Sequence, residues 1–277
     1  PWTRIAEEAG VDPRGGYRLW SGSRAFRDGV PLDAEAAARR STLMPRVSEA
    51  YEEVEERQDV SLAQALRQEE PEVRALGRIQ AQMAAGEDPE WVSTSDWQRL
   101  EGGQNRLVPG GYGTLASRTA EPLGVRHGVK VTAIDWSGQL VVATTSEGPI
   151  RARKAIVTVP IGILKAGDIR FTPALPLEHA RALDGLKMGA LSKVALRFEG
   201  ERFGFQPHQF LAEIGEPTRA ITFETWPFDS DLVVATFGGD HARGLARQGE
   251  AAAVDQVLER FVRIAGGDAR KAFRGGV

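Results

Sequence analysis

Residues 130–159 have the sequence KVTAIDWSGQLVVATTSEGPIRARKAIVTV, in which three runs rich in β-branched residues are separated by two turn pairs. Ser137-Gly138 follows the first run and Glu147-Gly148 follows the second. A polar residue followed by glycine suits the tight turn of a hairpin, and β-branched side chains fit the pleated surface of a sheet. The segment therefore predicts three antiparallel strands connected in order, a β-meander.

The hundred residues before the meander have a helical pattern. Residues 33–57 are rich in Ala, Glu and Arg, and Pro45 is expected to kink or restart the helix that they form. A second helix is predicted to begin at Ser61, which has capping-box spacing to Gln64, and to be interrupted at Pro71. We therefore expect a helical pair on this side of the meander.

The chain after the meander combines strands and helices. The clearest helix is residues 250–265, whose apolar residues recur at helical spacing and are followed by Gly266-Gly267, a natural C-cap. A shorter helix is predicted at Leu177–Leu186, and strands are predicted at Leu191–Phe198, Gln209–Ile214, Ala220–Thr225 and Leu232–Phe237. The predicted fold class is therefore mixed α/β (α+β), with a mixed β-sheet and helices in addition to the antiparallel meander.

Composition excludes several classes of function. The chain has 277 residues, and 35 Lys and Arg against 38 Asp and Glu leave a net charge of −3, so neither nucleic acid nor an anionic membrane is an expected partner. Cysteine is absent, which excludes disulfides, thiolate metal sites and a cysteine nucleophile. No apolar run approaches the roughly 18 to 20 residues that span a bilayer. We expect a soluble, cytoplasmic protein.

Short motifs give little independent support for a site. Gly111–Ala116 matches the degenerate dinucleotide fingerprint, but it follows Pro109 rather than a buried strand, so a plain turn into a helix is the favoured interpretation. No G-x-S-x-G sequence supports a serine hydrolase. The four histidines have no spacing typical of metal ligands, so no metal site is expected: they are His127, His179, His208 and His241.

Lys193 is the residue whose meaning depends most on its surroundings. Alternation along the strand Leu191–Phe198 places Lys193 and Arg197 on one face and the apolar residues on the other. A lysine on such a face is usually exposed to solvent and without special function. A functional role requires something to cover that face, and the residues alone do not show what this is.

Six blocks resemble, in order, segments of the flavin-containing amine oxidases. The similarity is strongest between residues 100 and 200. It is closest to the polyamine oxidase and histone-demethylase-like branch, which shares the style of segment found at Val159–Lys165. The blocks are Gly102–Arg106, Val108–Leu115, Val131–Asp135, Val157–Leu164, Ile169–Pro176 and Gly189–Val194.

The resemblance implies a two-domain flavoprotein, with one domain binding FAD and the other supplying a mixed sheet with helices on the substrate side. It assigns residues 1–108 to a mainly helical substrate-side region and 109–168 to a meander within the FAD domain. Residues 169–249 are then the mixed-sheet substrate domain, and 250–277 a helix returning toward the FAD domain.

The resemblance also implies roles for individual residues. Lys193 matches the catalytic lysine that holds a water against the flavin N5, and a covering flavin ring would desolvate it. Val131 matches a residue whose backbone contacts the adenine end of FAD, while Val159 and Pro160 match a crossover close to the cofactor. Gln104 matches a glutamine that lines the substrate cavity in some members.

The implied reaction oxidises an amine C–N bond to an imine by hydride transfer to FAD, with reoxidation by O2. The family's N-terminal dinucleotide-binding unit and C-terminal FAD segment find no match in residues 1–277, so we expect a fragment that is inactive and does not retain FAD. The alternatives are a non-catalytic binding module of the same fold and a flavoprotein similar to desaturases or porphyrinogen oxidases. The amine and the oligomeric state remain open.

Overall fold

Two compact units make up the chain. The computed structural model describes residues 2–17, 23–54, 59–100 and 105–277. The first unit comprises residues 1–12 and 110–188, and the second comprises residues 13–109 and 189–277. The predicted class of mixed α and β structure is confirmed.

The second unit contains nine strands and seven helices among its described residues. The strands are β1 (Arg14–Tyr17), β2 (Arg24–Arg27), β3 (Val30–Pro31), β4 (Asn105–Leu107), β9 (Leu191–Phe198), β10 (Gln209–Glu213), β11 (Ile221–Thr225), β12 (Leu232–Gly238) and β13 (Phe273–Gly276). The helices are α2 (Ala34–Glu52), α3 (Leu62–Ala65), α4 (Pro71–Ala85), α5 (Thr94–Gln98), α9 (Gly239–Gln248), α10 (Glu250–Ala265) and α11 (Asp268–Ala272).

A seven-stranded sheet with the order β13-β9-β12-β11-β10-β2-β3 organises this unit. Its pairs are antiparallel except for β10 and β2, which run parallel, so the sheet is mixed. β9 and β12 pair along their whole length, from Arg197 opposite Leu232 to Leu191 opposite Gly238. β1 and β4 form a separate two-stranded ribbon.

One face of the large sheet is buried beneath α9, α10 and α11. Val194, Leu196 and Phe198 of β9 lie in this core, as the alternation predicts. Phe261 of α10 is fully buried there. The helix at 250–265 has its predicted bounds and packs into the core of this unit.

A smaller core holds the helical part of this unit together. Tyr51 of α2 is almost fully buried among residues of α3 and α4, and its ring lies 5.6 Å from that of Trp97. α2 continues through Pro45, so the helix does not restart there. α3 begins after the predicted capping box of Ser61 and Gln64, and Pro71 occupies the first turn of α4, where its missing N–H costs no helical hydrogen bond.

Replacing Ser61 with alanine is expected to lower the free energy of unfolding by about 1 kcal/mol, because the hydroxyl that accepts from the Gln64 N–H is lost. Urea unfolding measures this change. Ser61→Thr retains the hydroxyl and is expected to lose only a few tenths of a kcal/mol. Equal losses in the two variants would contradict a capping role.

The first unit is built on a four-stranded sheet with the order β7-β6-β5-β8. Its strands are β5 (Val131–Asp135), β6 (Val141–Thr145), β7 (Gly148–Ala152) and β8 (Arg170–Thr172). The first three form the predicted antiparallel meander, while β8 adds a parallel partner to β5 that the sequence did not indicate. The helices of this unit are α1 (Trp2–Glu8), α6 (Tyr112–Ala120), α7 (Ile161–Ala166) and α8 (Leu177–Gly185).

The third strand of the meander is shorter than predicted. β7 ends at Ala152, and residues 153–160 continue as exposed, irregular chain rather than as the expected strand to Val159. Ile156 in this segment is 91% exposed, although its neighbours are also apolar. Single 3₁₀ turns occur at Pro89–Trp91, Glu121–Leu123, Pro217–Arg219 and Pro227–Asp229. Among the described residues, no helix has the length and apolar character needed to cross a bilayer.

Candidate functional site

The second face of the seven-stranded sheet is only partly covered. Antiparallel partners that lie directly opposite point to the same face, and Lys193 lies opposite Thr236, which lies opposite Thr222. We call this surface the open face. Its residues are half-buried or exposed: Lys193, Ala195 and Arg197 of β9, Thr222 and Glu224 of β11, and Leu232, Val234 and Thr236 of β12.

Lys193 projects from the open face, as the alternation predicted. Its side chain is exposed, and no described residue forms a hydrogen bond or an ion pair with its ammonium. The buried neighbours Val194 and Leu196 hold β9 in register through the core on the opposite face. The lysine is therefore a free cation on a rigid strand, which is the arrangement needed to bind or orient a small polar group.

The end of α4 fixes the beginning of β9. The Ala190 N–H donates to the Gly86 carbonyl oxygen at 2.6 Å, where Gly86 ends the helix in the left-handed region. A Cβ on Gly189 would lie 2.6 Å from the Ala85 carbonyl oxygen, and one on Gly238 would lie 2.1 Å from that of Gln82. Glycine at both positions therefore allows α4 and the sheet to approach closely. This contact fixes the position of β9, the strand that carries Lys193.

Buried charges strengthen this junction. Asp88 accepts from Arg78 at 2.9 Å and from the Gln82 amide at 2.7 Å, and Glu87 accepts from Arg243 at 2.9 Å. Glu87 and Asp88 are 5% and 6% exposed, so these ion pairs are largely shielded from solvent. The hydrogen bonds that Arg243 donates to Glu87 raise the pKa of Arg243, so this arginine remains a cation.

The carboxylates at this junction do not form a convincing metal site. Oxygens of Glu87, Asp88 and Asp240 come within 4.8 Å of one another. However, Arg243 binds both Glu87 and Asp240, and Asp88 also accepts from the Asp240 N–H at 2.9 Å. These carboxylates are therefore already neutralised by arginine and backbone donors, and we assign the cluster a structural role.

A histidine and a glutamate pair beside the open face. His208 Nδ1 lies 2.9 Å from the Glu224 carboxylate, while the Phe228 N–H donates to Nε2 at 3.0 Å. Because Nε2 accepts, Nδ1 carries the proton and donates to Glu224. The sequence analysis missed this pair, since the residues are 16 positions apart and meet only through the pairing of β10 with β11.

The other predicted site residues are distributed differently. Val131 is half-buried at the start of β5, and Val159 and Pro160 lie in the connection that enters α7, so these three belong to the first unit. Lys193 belongs to the second unit. Gln104 lies outside the described residues. The fingerprint-like sequence at 111–116 begins α6, but the strand before it, β4, belongs to the β1–β4 ribbon, as expected for a plain turn.

The first unit has an open apolar cavity of about 540 Å³. Its walls include Ile134 and Phe171 from the sheet and Val157 from the exposed segment that precedes Val159. An apolar wall beside irregular backbone fits the edge of a cofactor-binding surface. Among the described residues, we find no glycine-rich strand-to-helix turn that would cradle the cofactor phosphates. The residues present thus fit part of an FAD site.

The burial of His241 leads us to expect that the stability of the fold depends on pH. Burial lowers its pKa to about 4, and the positive charges of Arg260 and Arg219 act in the same direction. In the unfolded chain a histidine titrates near 6.5, so the unfolded state binds the extra proton as pH falls through this range. The free energy of unfolding should therefore fall between about pH 6.5 and pH 4.

Melting temperatures measured at pH 7 and at about pH 4.5 test this expectation, because the second pH lies inside the range where stability should fall. The His241→Gln variant should lose less stability over this interval than the parent protein. His179→Gln, which removes an exposed histidine from the other unit, serves as the control for the loss of a histidine. An identical pH dependence in the parent and His241→Gln would contradict the prediction.

The large sheet, its open face and the exposed lysine are parts of a mixed α/β protein. Residues 5–274 match the family described as flavin containing amine oxidoreductase, so the chain belongs to that family. It is 36% identical over 121 residues to lysine-specific histone demethylase 1B of Mus musculus, covering 42% of this chain and 15% of the relative. It is 30% identical over 220 residues to polyamine oxidase 2 of Arabidopsis thaliana, covering 71% of this chain and 43% of that relative.

Solved structures show the same fold. Cyclohexylamine oxidase from Brevibacterium oxydans IH-35A superposes with a TM-score of 0.74 at 19% identity, covering 100% of this chain and 69% of that one. Wild-type putrescine oxidase bound to putrescine gives a TM-score of 0.74 at 15% identity, covering 98% of this chain and 69% of that one. Compared with the two curated relatives, the histone demethylase and the polyamine oxidase, this chain spans less than half of the relative's length.

Proposed function

We propose that this chain is the substrate-side part of an FAD-dependent amine oxidase, and that a longer protein containing it carries out the reaction. Family membership over residues 5–274, together with a free lysine on the open face, supports this proposal. The bound flavin would accept a hydride from the carbon next to the amine nitrogen and would be reoxidised by O2.

Lys193 is the proposed catalytic residue of the chain. Its ammonium has no partner among the described residues, so its N–H donors are available to hold a water in the covered site. In the covered site the lysine would orient the water that accompanies hydride loss and flavin reoxidation. The pairing of β9 with β12 fixes the backbone position from which the Lys193 side chain projects.

Val131, Val159 and Pro160 are the proposed contacts to the cofactor in the first unit. The exposed apolar segment before Val159 and the adjoining cavity support this assignment. Gln104 is proposed to line the substrate cavity. The proposal includes four segments: 1–108 as a mainly helical substrate-side region, 109–168 as the meander of the FAD domain, 169–249 as the mixed-sheet substrate domain, and 250–277 as a helix returning toward the FAD domain.

The proposed substrate is a small-molecule amine, with O2 as the second substrate. Relatives named polyamine oxidase and histone demethylase, and the structures of putrescine and cyclohexylamine oxidases, support an amine class without selecting one member. The Glu224 carboxylate on the open face could attract a cationic amine, although His208 already engages it. We also propose a cytoplasmic location.

The alternative is a non-catalytic binding module of the same fold. An absorption scan after incubation with FAD and desalting distinguishes the two. We expect this chain alone to lose the flavin, because its residues fit only part of the site, and a longer version containing it to retain the visible flavin spectrum. Loss of flavin from both proteins would favour the binding module, whereas a retained flavin that no amine bleaches would favour a different type of flavoprotein such as a desaturase or porphyrinogen oxidase.

A further inference from the structure

A cavity of about 310 Å³ lies in the second unit, with walls from α2, α4, the β2–β3 hairpin and the segment that follows β10. Most of its wall is apolar, including Leu32, Leu43, Ile79, Ile214 and Pro217. This volume is within the lower part of the range of about 300 to 1,000 Å³ found for small-molecule sites. The cavity is therefore large enough for a small ligand with an apolar body.

Arg40 of α2 supplies an uncompensated charge to this cavity. Its Nε and Nη2 atoms are shielded from solvent and have no hydrogen-bond partner among the described residues. Burial lowers the pKa of Arg40. Shielded guanidinium groups in proteins are nearly always paired with an acid, because an isolated charge is costly to remove from water. A missing anion would explain this arrangement.

The acidic residue in the cavity wall does not supply that anion. Glu72 accepts from Arg39 at 2.7 Å, and Arg39 also donates to Glu70 at 3.0 Å. Glu72 is thus engaged by Arg39, and no other acidic residue is among the described residues of the wall. The wall also contains Arg27, so its three arginines outnumber Glu72 and the cavity has a net positive charge.

We propose that this cavity binds a small monocarboxylate with a compact apolar body. The carboxylate supplies the missing counter-charge to Arg40, and the aliphatic wall accepts the body of the ligand. The unpartnered Nε and Nη2 atoms of Arg40 form a fork that matches both oxygens of a carboxylate, and a rotation of the guanidinium brings this fork to the cavity. Arginine suits this two-point contact better than lysine does.

This site is separate from the open-face lysine. β2, which carries Arg27, lies four strands from β9 in the sheet order, a separation of about 19 Å at the usual strand spacing. The proposal therefore does not rest on amine oxidation, and its test does not require flavin. Binding of the carboxylate can succeed or fail independently of the proposed reaction.

Calorimetric titration of the purified chain with octanoate tests the proposal. We expect saturable binding that raises the melting temperature, while 1-octanol, which has the same body without the charge, binds at least about tenfold more weakly. Arg40→Met should weaken octanoate binding by at least about tenfold. Arg67→Met removes an exposed arginine that does not line the cavity, and it should bind octanoate like the parent protein.

A second measurement separates binding from folding. Without ligand, Arg40→Met should melt at the same temperature as the parent protein or higher, because it replaces an unpaired, shielded cation with an apolar side chain of similar length. A clearly lower melting temperature would mean that Arg40 has a partner in the folded protein, and would overturn the proposal. So would undiminished octanoate binding by Arg40→Met, no octanoate binding at millimolar concentration, or equally effective competition by inorganic phosphate.

Discussion

Replacing Lys193 with methionine in a flavin-containing protein that includes this chain is expected to slow either flavin reduction or reoxidation by about 100-fold. The variant keeps the length of the side chain but removes every N–H donor that could hold a water. Rapid-mixing measurements of the two half-reactions give the two rates separately. Unchanged rates in both would remove Lys193 from the mechanism.

Arg197 provides the matched control for this experiment. It lies on the same strand and the same open face, four residues beyond Lys193, and is also exposed. Arg197→Met should change both rates only slightly, because the same loss of charge occurs without loss of the proposed water contact. Equal slowing in the two variants would indicate a general effect of charge on this face.

Both replacements are expected to leave the fold intact. Substitutions at exposed positions usually alter the free energy of unfolding by about 0.5 kcal/mol or less. The melting temperatures of Lys193→Met and Arg197→Met should therefore stay close to that of the parent protein. A large fall for Lys193→Met alone would mean that the lysine stabilises the sheet.

Replacing Phe261 with alanine is expected to lower the free energy of unfolding by about 3 to 5 kcal/mol. The ring is fully buried and lies 5.1 Å from the ring of Phe198 and 5.5 Å from that of Phe223, measured between centroids. Its removal leaves a cavity where α10 packs on the sheet. Urea unfolding followed by circular dichroism measures the loss.

Two variants make this result specific to packing. Phe261→Leu retains part of the apolar volume and should lose less stability than Phe261→Ala. Val30→Ala shortens an apolar side chain that is 65% exposed, and should cost about 0.5 kcal/mol or less. Similar losses for Val30→Ala and Phe261→Ala would contradict the assignment of Phe261 to the core.

The elements with strong local patterns could be predicted from the sequence. The spacing of apolar residues defined α10, alternation defined β9, and turn pairs defined the meander. The capping box at Ser61 was also visible, because its two residues are only three positions apart. In these cases the interactions that determine the structure lie within one segment.

Elements that depend on distant partners were missed. β13 contains Gly275 and Gly276, and it becomes a strand only because β9 offers a free edge. β2 is four residues long and is held in part by its parallel pairing with β10, which lies far along the chain. α9 was also missed, since glycines at both of its ends conceal an amphipathic pattern.

The candidate site was only partly predictable for the same reason. The face that carries Lys193 followed from alternation alone, whereas the pairing of His208 with Glu224 depends on strand register. Arg40 lies in the predicted helix that is rich in Ala, Glu and Arg, and its shielding comes from packing in the folded chain. Spacing within one helix carries no information on such packing.

Anaerobic addition of an amine to a purified, flavin-containing protein that includes this chain tests the central claim most directly. We expect the visible flavin absorption to bleach with putrescine or another small amine, and to return when O2 is admitted. The Lys193→Met variant should bleach or recover more slowly under the same conditions. A retained flavin that no amine from a panel of polyamines, aromatic monoamines, amino acids and methylated lysine peptides can bleach would contradict the account.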